Sequence, residues 1–274
     1  MAYYNAFRIC GIARYYAMRF LWDGGKATPG YIAIFITCFA VCMVAGYFLG
    51  GLNFAIIISK KKFGVDVRDF GSGNAGATNM NRTFGKKAGF ITLGGDIGKA
   101  IIACLIGYVL LGRLGAFVAG FFCMLGHMFP AKYKFKGGKG VSCAAAVILM
   151  TDIGNPSLYF IPIVFFIVLG CFIVIVAGTK FVSLGSIMSA FLYPLIFNAF
   201  EKYQVDSITG DEVINVVQNP VTATYLMDFS LYVIFTMTIM VMLVFMHREN
   251  IKRLLHGQES KLDFQKNKAK EKDK

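Results

Sequence analysis

Residues Tyr31–Ile58 read YIAIFITCFAVCMVAGYFLGGLNFAIII, a continuous apolar run that contains no charged side chain. A helix needs roughly 20 apolar residues to cross the hydrocarbon core of a bilayer, so this run is long enough for one membrane span. Six further stretches share its apolar character: Ala88–Gly112, Leu114–Phe129, Val141–Met150, Tyr159–Gly178, Val182–Phe200 and Asp228–Met246. The sequence therefore predicts an all-α integral membrane protein with about seven transmembrane helices.

The overall composition agrees with this fold class. The chain has 274 residues, of which 57% are hydrophobic and only 16% are charged, whereas soluble domains are usually about 45–50% apolar. The net charge of +13 is large. In a membrane protein such an excess reports topology and contact with anionic lipid headgroups, so we predict membrane lipids and no nucleic acid as partners.

The distribution of Lys and Arg predicts the orientation. Seven crossings place the two termini on opposite sides of the membrane, and the more basic side faces the cytoplasm. Most of the 28 Lys and Arg residues fall on the C-terminal side of this arrangement. We therefore expect an external N-terminus and a cytoplasmic C-terminus.

Three regions follow from this layout. Residues 1–30 form an N-terminal extension in which arginines alternate with aromatic residues, a pattern that favours an interfacial helix. Residues 31–259 form the transmembrane domain, with an external loop at 201–227. Residues 260–274 form a charged cytoplasmic tail without apolar periodicity, which we expect to be disordered.

The first polar segment, residues 71–87, reads GSGNAGATNMNRTFGKK between two apolar runs. Its glycines allow close backbone approach, and its side chains combine neutral hydrogen-bonding groups with positive charge. This combination is suited to holding a phosphate. The alternative is a solvated basic loop that reports only topology. The candidate phosphate ligands are Ser72, Gly73, Asn74, Thr78, Asn79, Arg82, Lys86 and Lys87.

The second polar segment is Lys136, Gly137, Gly138, Lys139 and Gly140, which lies directly before the apolar stretch Val141–Met150. Glycines before a helix allow backbone N–H groups to face an anion, and a helix N-terminus favours negative charge. A Walker A loop is excluded because Lys139 is followed by glycine instead of Ser or Thr. A flexible basic turn remains the alternative.

The third segment follows the last apolar run. His247 and Asn250 are three positions apart and share one face of a continuing helix, with Glu259 further along. Histidine accepts protons near neutral pH, although a histidine at a helix end also serves as a cap. For His127, at another span end, we favour a loop-anchoring role.

Asp96 and Lys99 lie inside the second apolar run at helical i, i+3 spacing. Charges within a membrane are costly and are usually paired or directed into a cavity. A structural ion pair and a role in the substrate site are both open. No cluster of ligating residues indicates a metal.

Taken in order, three motifs resemble those of the bacterial acyl-phosphate-dependent glycerol-3-phosphate acyltransferase family, the PlsY family. The first motif spans residues 71–79 with Arg82, Gly85 and Lys86. The second runs from Gly126-His127-Met128-Phe129-Pro130 to the Phe135–Val141 segment. The third comprises His247-Arg248-Glu249-Asn250-Ile251, Arg253-Leu254, Gly257 and Glu259.

The resemblance implies transfer of a fatty acyl group from acyl phosphate to the 1-hydroxyl of glycerol 3-phosphate, giving lysophosphatidic acid and phosphate at the cytoplasmic face of the cell membrane. It implies no cofactor, and a soluble acyl-phosphate-producing enzyme as a partner. By the same resemblance Ser72 and Arg82 are essential, residues 136–140 hold glycerol 3-phosphate, His247 and Asn250 are required, and Glu259 is more structural. The proton acceptor is open between His247 and the donor's phosphate.

Two other classes of protein compete with this interpretation. A transporter for an anionic metabolite also uses intramembrane charge and Gly-rich breaks. However, the polar motifs cluster at one face instead of the midplane, and the sequence shows no inverted repeat. A nonenzymatic lipid-binding scaffold leaves the Ser, Asn and His pattern unexplained. The His-x4-Asp motif of other glycerolipid acyltransferases is absent, which disfavours an acyl-coenzyme A donor.

Overall fold

The structure, a computed structural model, describes residues 22–23, 26–27, 29–153, 162–209 and 220–262. Within these ranges nine α-helices dominate, which confirms the predicted all-α class. A two-residue antiparallel ladder joins β1 (Trp22–Asp23) and β2 (Lys26–Ala27). The helices are α1 (Pro29–Gly50), α2 (Phe54–Phe63), α3 (Ala77–Phe84), α4 (Lys86–Met128), α5 (Val141–Ile153), α6 (Ile163–Thr179), α7 (Val182–Thr209), α8 (Pro220–Met246) and α9 (Arg248–Leu255).

Helix α4 is two helices joined by a sharp reversal. Leu111 and Gly112 have non-helical backbone angles, and Gly112 has φ of 64°. A Cβ atom built on Gly107 would lie 2.0 Å from the carbonyl oxygen of Gly115, so the two halves lie back to back beside the turn. The sequence places two apolar runs on either side of this point, and the structure has the break there.

Small residues allow α1 to pack tightly on the second half of α4. A Cβ atom on Gly46 would lie 2.2 Å from the carbonyl oxygen of Ala119, and one on Gly50 would lie 2.1 Å from that of Cys123. Small residues four apart permit this close approach of backbones, a frequent mode of helix packing in membranes. As a result, the end of α1 lies beside His127 and Lys99, at the end of the bundle that holds the polar motifs.

The helices divide into long and short apolar segments. Among the described residues, Pro29–Phe63, Lys86–Tyr133 and Val182–Lys202 are long and apolar enough to cross a membrane. A fourth is added if Ser230–Met246 and Arg248–Leu255, bent by 57°, are taken as one. Val141–Asp152 and Ile163–Thr179 are shorter apolar helices. The count of seven spans and the orientation of the termini stay predictions.

The core forms where the second half of α4 meets α5, α7 and α8, around Phe117, Tyr193, Phe197 and Tyr232. The outer faces of the helices expose large apolar side chains, among them Phe48, Phe90, Val174 and Leu195. An apolar outer surface around an apolar core is suited to a lipid environment, because lipid chains are as apolar as leucine.

Several predicted regions lie partly or wholly outside the described residues. Of the interfacial helix predicted at 1–30, residues 22–23 and 26–27 instead form β1 and β2, residues 29–30 begin α1, and the rest lies outside the described residues. Most of the tail at 260–274 also lies outside them. Of the segment assigned to the external loop, residues 201–209 continue α7 and residues 220–227 begin α8, while 210–219 lie outside the described part of the chain. The backbone N–H of Leu262 donates to the carbonyl of Lys180 at 2.7 Å, which brings the start of the tail back to the bundle.

Candidate active site

A single cavity of about 1780 Å³ lies at the end of the bundle where α3, the N-terminus of α5 and α9 converge. Residues of all three sequence motifs line its polar part. From the predicted site these are Ser72, Asn74, Thr78, Asn79, Arg82, Lys86, Lys87, Lys139, Gly140, His247, Asn250 and Glu259. The structure therefore brings together three segments that are far apart in the chain.

The first motif is a loop organised around Asn79. The Asn79 amide donates to the carbonyl oxygens of Val67 at 3.1 Å and Phe70 at 2.9 Å. Its Oδ1 accepts from the backbone N–H of Ser72 at 2.9 Å. Gly71 has φ of 60°, and a Cβ atom there would lie 2.3 Å from Asn79 Oδ1, so only glycine fits. Asn79 therefore uses its side-chain amide to stabilise the shape of the loop. The sequence had predicted that this amide binds phosphate.

The loop leaves its other polar side chains open to the cavity. Ser72, Thr78, Arg82 and Lys86 are exposed and line the polar end. In the described part of the chain Arg82 has no hydrogen-bond or ion-pair partner. An unengaged guanidinium beside hydroxyl groups is suited to binding a phosphate in a bidentate manner.

The second motif is divided between two surfaces. The N–H groups of Gly137 and Gly138 donate to the carbonyls of Met128 and His127, at 3.0 and 3.1 Å, so they do not face an anion. Lys136 and Gly137 instead line a smaller basic depression with Gly73. Lys139 and Gly140 line the main cavity, together with the first residues of α5.

The backbone N–H groups at the start of α5 complete this wall. Val141 and Ser142 line the cavity, and the first turn of a helix has N–H groups without intrahelical acceptors. Combined with the Lys139 ammonium group, this helix end is suited to an anion. Only the C-terminal half of the second motif is therefore available to bind an anion. The N–H groups of Gly137 and Gly138 are already bonded to backbone carbonyls.

The third motif forms a hydrogen-bonded chain with Lys139. The Lys139 Nζ donates to Asn250 Oδ1, and Asn250 Nδ2 donates to Glu259 Oε1 at 2.7 Å. Glu259 also accepts from Ser183 Oγ and from Arg253 Nε, both at 2.8 Å. This network fixes both the rotamer and the amide orientation of Asn250.

His247 lies at the junction of α8 and α9 and is only 3% exposed. Its Nδ1 lies 2.7 Å from the carbonyl oxygen of Leu243. A carbonyl only accepts, so Nδ1 carries the proton and Nε2 keeps its lone pair. Because His247 lines the cavity, Nε2 is the nitrogen available to a substrate hydroxyl.

Burial and neighbouring charges shift two pKa values in this network. Burial lowers the pKa of Lys139 to about 8, and the positive charges of Arg253 and Arg82 act in the same direction while Glu259 opposes them. Burial raises the pKa of Glu259, but hydrogen bonds from Arg253, Asn250 and Ser183 outweigh it and hold that pKa below its usual value. Lys139 is therefore a cation whose charge is sensitive to mildly alkaline pH.

Asp96 and Lys99 lie beside the cavity instead of in its lining. The Lys99 Nζ lies 2.9 Å from Asp96 Oδ1 and 2.9 Å from His127 Nδ1, and it donates to the carbonyls of Gly50 and Leu52. These contacts tie α1 to both halves of α4. The neighbouring His127 lines the cavity, and its backbone carbonyl accepts the N–H of Gly138. The loop-anchoring role expected for His127 stays a prediction.

The rest of the cavity is apolar apart from Ser183, Ser186 and Ser189 on α7. It extends between α4, α5, α6 and α7 and is lined by aliphatic and aromatic side chains, including Ile97, Ala144, Ile148, Phe165, Val168, Leu169, Phe172, Ala190 and Tyr193. A basic polar mouth that opens into an apolar chamber is complementary to an amphiphile with an anionic headgroup. Within the described ranges no group of three His, Cys, Asp or Glu side chains has an arrangement that could hold a metal ion.

The sequence analysis named Arg253 within the third motif without giving it a role, and it did not identify Ser183; both side chains hold Glu259. Arg253 stands three residues after Asn250 and belongs to the third motif, so its helical spacing was a usable signal. Ser183 lies 76 residues before Glu259 and had none. The apolar lining was also hidden, because every helix of a membrane bundle is apolar.

Comparison with known proteins places these features in a family. Residues 40–257 match the family model described as glycerol-3-phosphate acyltransferase. A glycerol-3-phosphate acyltransferase of Finegoldia magna is 35% identical over 219 residues, covering 79% of this chain and 92% of the relative. One of Chlorobaculum tepidum is 37% identical over 238 residues, covering 82% and 97%.

Solved structures of an integral membrane glycerol 3-phosphate acyltransferase, PlsY (YgiH), have a similar fold. Its glycerol 3-phosphate form superposes with a TM-score of 0.63 at 30% identity, covering 82% of this chain and 96% of the other. Its lysophosphatidic acid form gives a TM-score of 0.61 at 28% identity, covering 82% and 95%.

Proposed function

The chain belongs to the glycerol-3-phosphate acyltransferase family of integral membrane proteins, and we propose that it transfers a fatty acyl group from acyl phosphate to the 1-hydroxyl of sn-glycerol 3-phosphate. Lysophosphatidic acid and inorganic phosphate are the products, in the first step of phospholipid synthesis. The observation that carries the proposal is the one cavity that joins all three polar motifs to an apolar chamber. Such a cavity accommodates a phosphate headgroup and an acyl chain at the same time.

Two anionic groups must meet at the cavity mouth, and the basic residues divide between them. Lys139 and the N-terminus of α5 bind the phosphate of glycerol 3-phosphate. Arg82 and Ser72, from the first motif, bind the phosphate of the donor. Holding two reactants in position can supply roughly 7–11 kcal/mol of the barrier reduction in favourable cases.

The chemistry is a single acyl transfer without a covalent enzyme intermediate, because acyl phosphate is already activated. The glycerol oxygen forms a bond to the acyl carbonyl carbon, and the bond from that carbon to the phosphate oxygen breaks. The departing phosphate gains negative charge, which Arg82 stabilises through charge-assisted hydrogen bonds. The hydroxyl proton leaves in the same event and ends on phosphate or solvent.

His247 accepts the hydrogen bond of the attacking hydroxyl through Nε2. Two proton acceptors are compatible with this arrangement, the imidazole itself and the phosphate of the donor. In both, the bond from Nδ1 to Leu243 keeps the ring in one orientation and one tautomer. Asn250 positions Lys139, and Glu259 positions Asn250.

We further propose that the cavity opens at the cytoplasmic face of the cell membrane, where a soluble enzyme supplies acyl phosphate. The many lysines near the cavity mouth support this orientation through the positive-inside rule. This orientation can be tested with single cysteines introduced at exposed positions, such as Lys132 near the mouth. The cysteines are labelled in intact cells and in permeabilised cells. Labelling in intact cells would place the mouth outside.

The direct test is phosphate release by the purified protein in detergent or lipid, given palmitoyl phosphate with and without glycerol 3-phosphate. We expect release that depends on glycerol 3-phosphate and yields lysophosphatidic acid. Palmitoyl-coenzyme A serves as the alternative donor. If folded protein turns over neither donor but carries glycerol 3-phosphate into proteoliposomes, a transporter replaces the enzyme.

A further inference from the structure

The end of the bundle opposite the polar motifs holds a buried ion pair. Arg113 Nη1 lies 2.7 Å from Glu201 Oε1, and the side chains are 2% and 1% exposed. The Arg113 Nε donates to the carbonyl of Thr151 at 2.8 Å. Charges inside a membrane bundle are costly, so a buried pair of this kind indicates a function. The proposed transfer chemistry does not use it.

Aromatic rings enclose the Arg113 guanidinium. Its Cζ lies 5.1 Å from the ring centre of Phe197 and 5.1 Å from that of Tyr232. The Tyr193 ring packs against Phe197 with centroids 5.6 Å apart. Tyr193 also lines the cavity, so it lies between the apolar chamber and the enclosed ion pair.

The chamber ends at one level on three helices. Its deepest lining residues are Ile148 on α5, Phe165 on α6 and Tyr193 on α7. One turn deeper lie Thr151 and Phe197, which contact Arg113 and do not line the cavity. Along α7 the chamber extends from Ser183, beside Glu259, to Tyr193, which is about 15 Å of helix.

We infer that Tyr193, supported from behind by the Arg113–Glu201 pair, is the floor of the acyl chamber and sets the longest acyl chain that the enzyme transfers efficiently. This inference rests on the proposed function, because it requires an acyl chain in the chamber. A longer chain must displace Tyr193 towards a desolvated ion pair. Separating the partners of such a pair is strongly unfavourable, so the floor does not yield.

Two substitutions move the floor in opposite directions. Ala190 lines the chamber one turn nearer the polar mouth, and Ala190→Phe fills that turn. Tyr193→Ala deepens the chamber. Leu195, exposed on the lipid face of α7, provides the matched controls Leu195→Phe and Leu195→Ala. The measurement is the rate of lysophosphatidic acid formation with decanoyl, dodecanoyl, myristoyl, palmitoyl and stearoyl phosphate, with thermal unfolding as the check of folding.

We expect Ala190→Phe to shift the preference towards shorter donors, by about fourfold for each methylene that loses its apolar contact. Tyr193→Ala should shift it towards longer donors, mainly through KM for the donor, and the Leu195 variants should keep the parent profile. An unchanged profile in folded, active Ala190→Phe overturns the inference. If Tyr193→Ala does not fold, the smaller change Tyr193→Leu tests the floor at the same position, and a folded variant with the parent profile overturns the inference. A parent protein inactive with every donor refutes the proposed function instead.

Discussion

Lys139 donates a hydrogen bond to the side-chain carbonyl of Asn250, although 111 positions separate the two residues in the chain. The same amide donates to Glu259, so one side chain links the second polar motif to the third. A carboxamide accepts through its oxygen and donates through its nitrogen, so one neutral side chain can hold both partners. The amide therefore orients the ammonium group while leaving its charge for a substrate phosphate.

Asn250→Asp tests this link with a side chain of nearly equal size. The new carboxylate still pairs with Lys139. It has no N–H group to donate to Glu259, and its negative charge repels the Glu259 carboxylate. Hydrogen bonds to charged groups contribute about 1.5–3 kcal/mol, so we expect kcat/KM for glycerol 3-phosphate to fall by about 100-fold. Glu249→Gln, on the exposed face of α9, is the control. Steady-state rates near those of the parent would show that the link is dispensable.

The lowered pKa of Lys139 predicts an alkaline limit for substrate binding. With a pKa of about 8, this side chain loses its charge as the pH rises through 8, well before an ordinary lysine. Only the charged form binds phosphate strongly, so kcat/KM for glycerol 3-phosphate should fall above about pH 8. An acidic limb near pH 6 belongs to the substrate phosphate.

Lys139→Arg identifies the group responsible for that limit. A guanidinium stays charged at all accessible pH values, so the alkaline limb should move beyond pH 10 or so even if the rate at pH 7 falls. Lys132→Arg, outside the cavity, should keep the limb near pH 8. A limb that stays in place in Lys139→Arg would assign the titration to another group.

Residue types and their spacing were sufficient to predict the helical membrane fold, the break between the two halves of α4 and the convergence of three motifs. They could not show how the backbone amides are used. Gly137 and Gly138 look like phosphate ligands in sequence, but their N–H groups bond to carbonyls that only the folded chain brings near. The same holds for Asn79. The sequence predicts that its amide binds phosphate, but in the structure the amide bonds to carbonyl groups of its own loop.

Arg82 should contribute to catalysis and very little to stability, because it has no partner in the part of the chain that the structure describes. Arg82→Lys keeps the charge but loses the planar fork that engages two phosphate oxygens. We expect about a 100-fold loss of kcat/KM, from the roughly 1.5–3 kcal/mol of one charge-assisted contact, with an unchanged melting temperature. Arg248→Lys, on the exposed side of α9, is the control. A drop in melting temperature would indicate a structural role for Arg82.

Asn79 should contribute mainly to the shape of the first loop. Asn79→Ala leaves the N–H of Ser72 without its acceptor and removes the side-chain hydrogen bonds to the carbonyls of Val67 and Phe70, which keep only their backbone donors. At about 1 kcal/mol for each lost bond, the loop should be destabilised by roughly 3 kcal/mol. Hydrogen exchange at residues 66–73 should rise together with the loss of activity. Loss of activity with unchanged exchange would instead favour direct phosphate binding by Asn79.

Variants of the buried pair Asp96 and Lys99 distinguish the two roles that the sequence left open, a structural ion pair and a part in the substrate site. Lys99→Met removes the ammonium group 2.9 Å from Asp96 Oδ1 and leaves only His127, 3.4 Å away, beside that buried carboxylate. Removing one partner of a buried pair costs about 3–5 kcal/mol, so we expect a large loss of thermal stability in detergent. Adding Asp96→Asn removes the poorly compensated charge and should recover much of that stability. If the stable double variant is active, the pair is structural. A folded but inactive double variant would give the pair a role in the substrate site.

Substitutions of His247 distinguish the two possible proton acceptors, the imidazole and the phosphate of the donor. The Nδ1 atom is bonded to Leu243, so only Nε2 can reach the hydroxyl. His247→Gln places an amide near the Nε2 position, which still accepts a hydrogen bond but cannot take a proton. A general base contributes typically about 100-fold to 10,000-fold, so kcat should fall by at least about 100-fold if the imidazole is the base.

If the donor phosphate takes the proton, the amide of the glutamine variant still orients the hydroxyl. The kcat of this variant should then fall by less than about tenfold, while that of His247→Ala falls far more. His256→Gln, exposed at the end of α9, is the matched control. Equal losses in the glutamine and alanine variants would therefore assign the proton to His247.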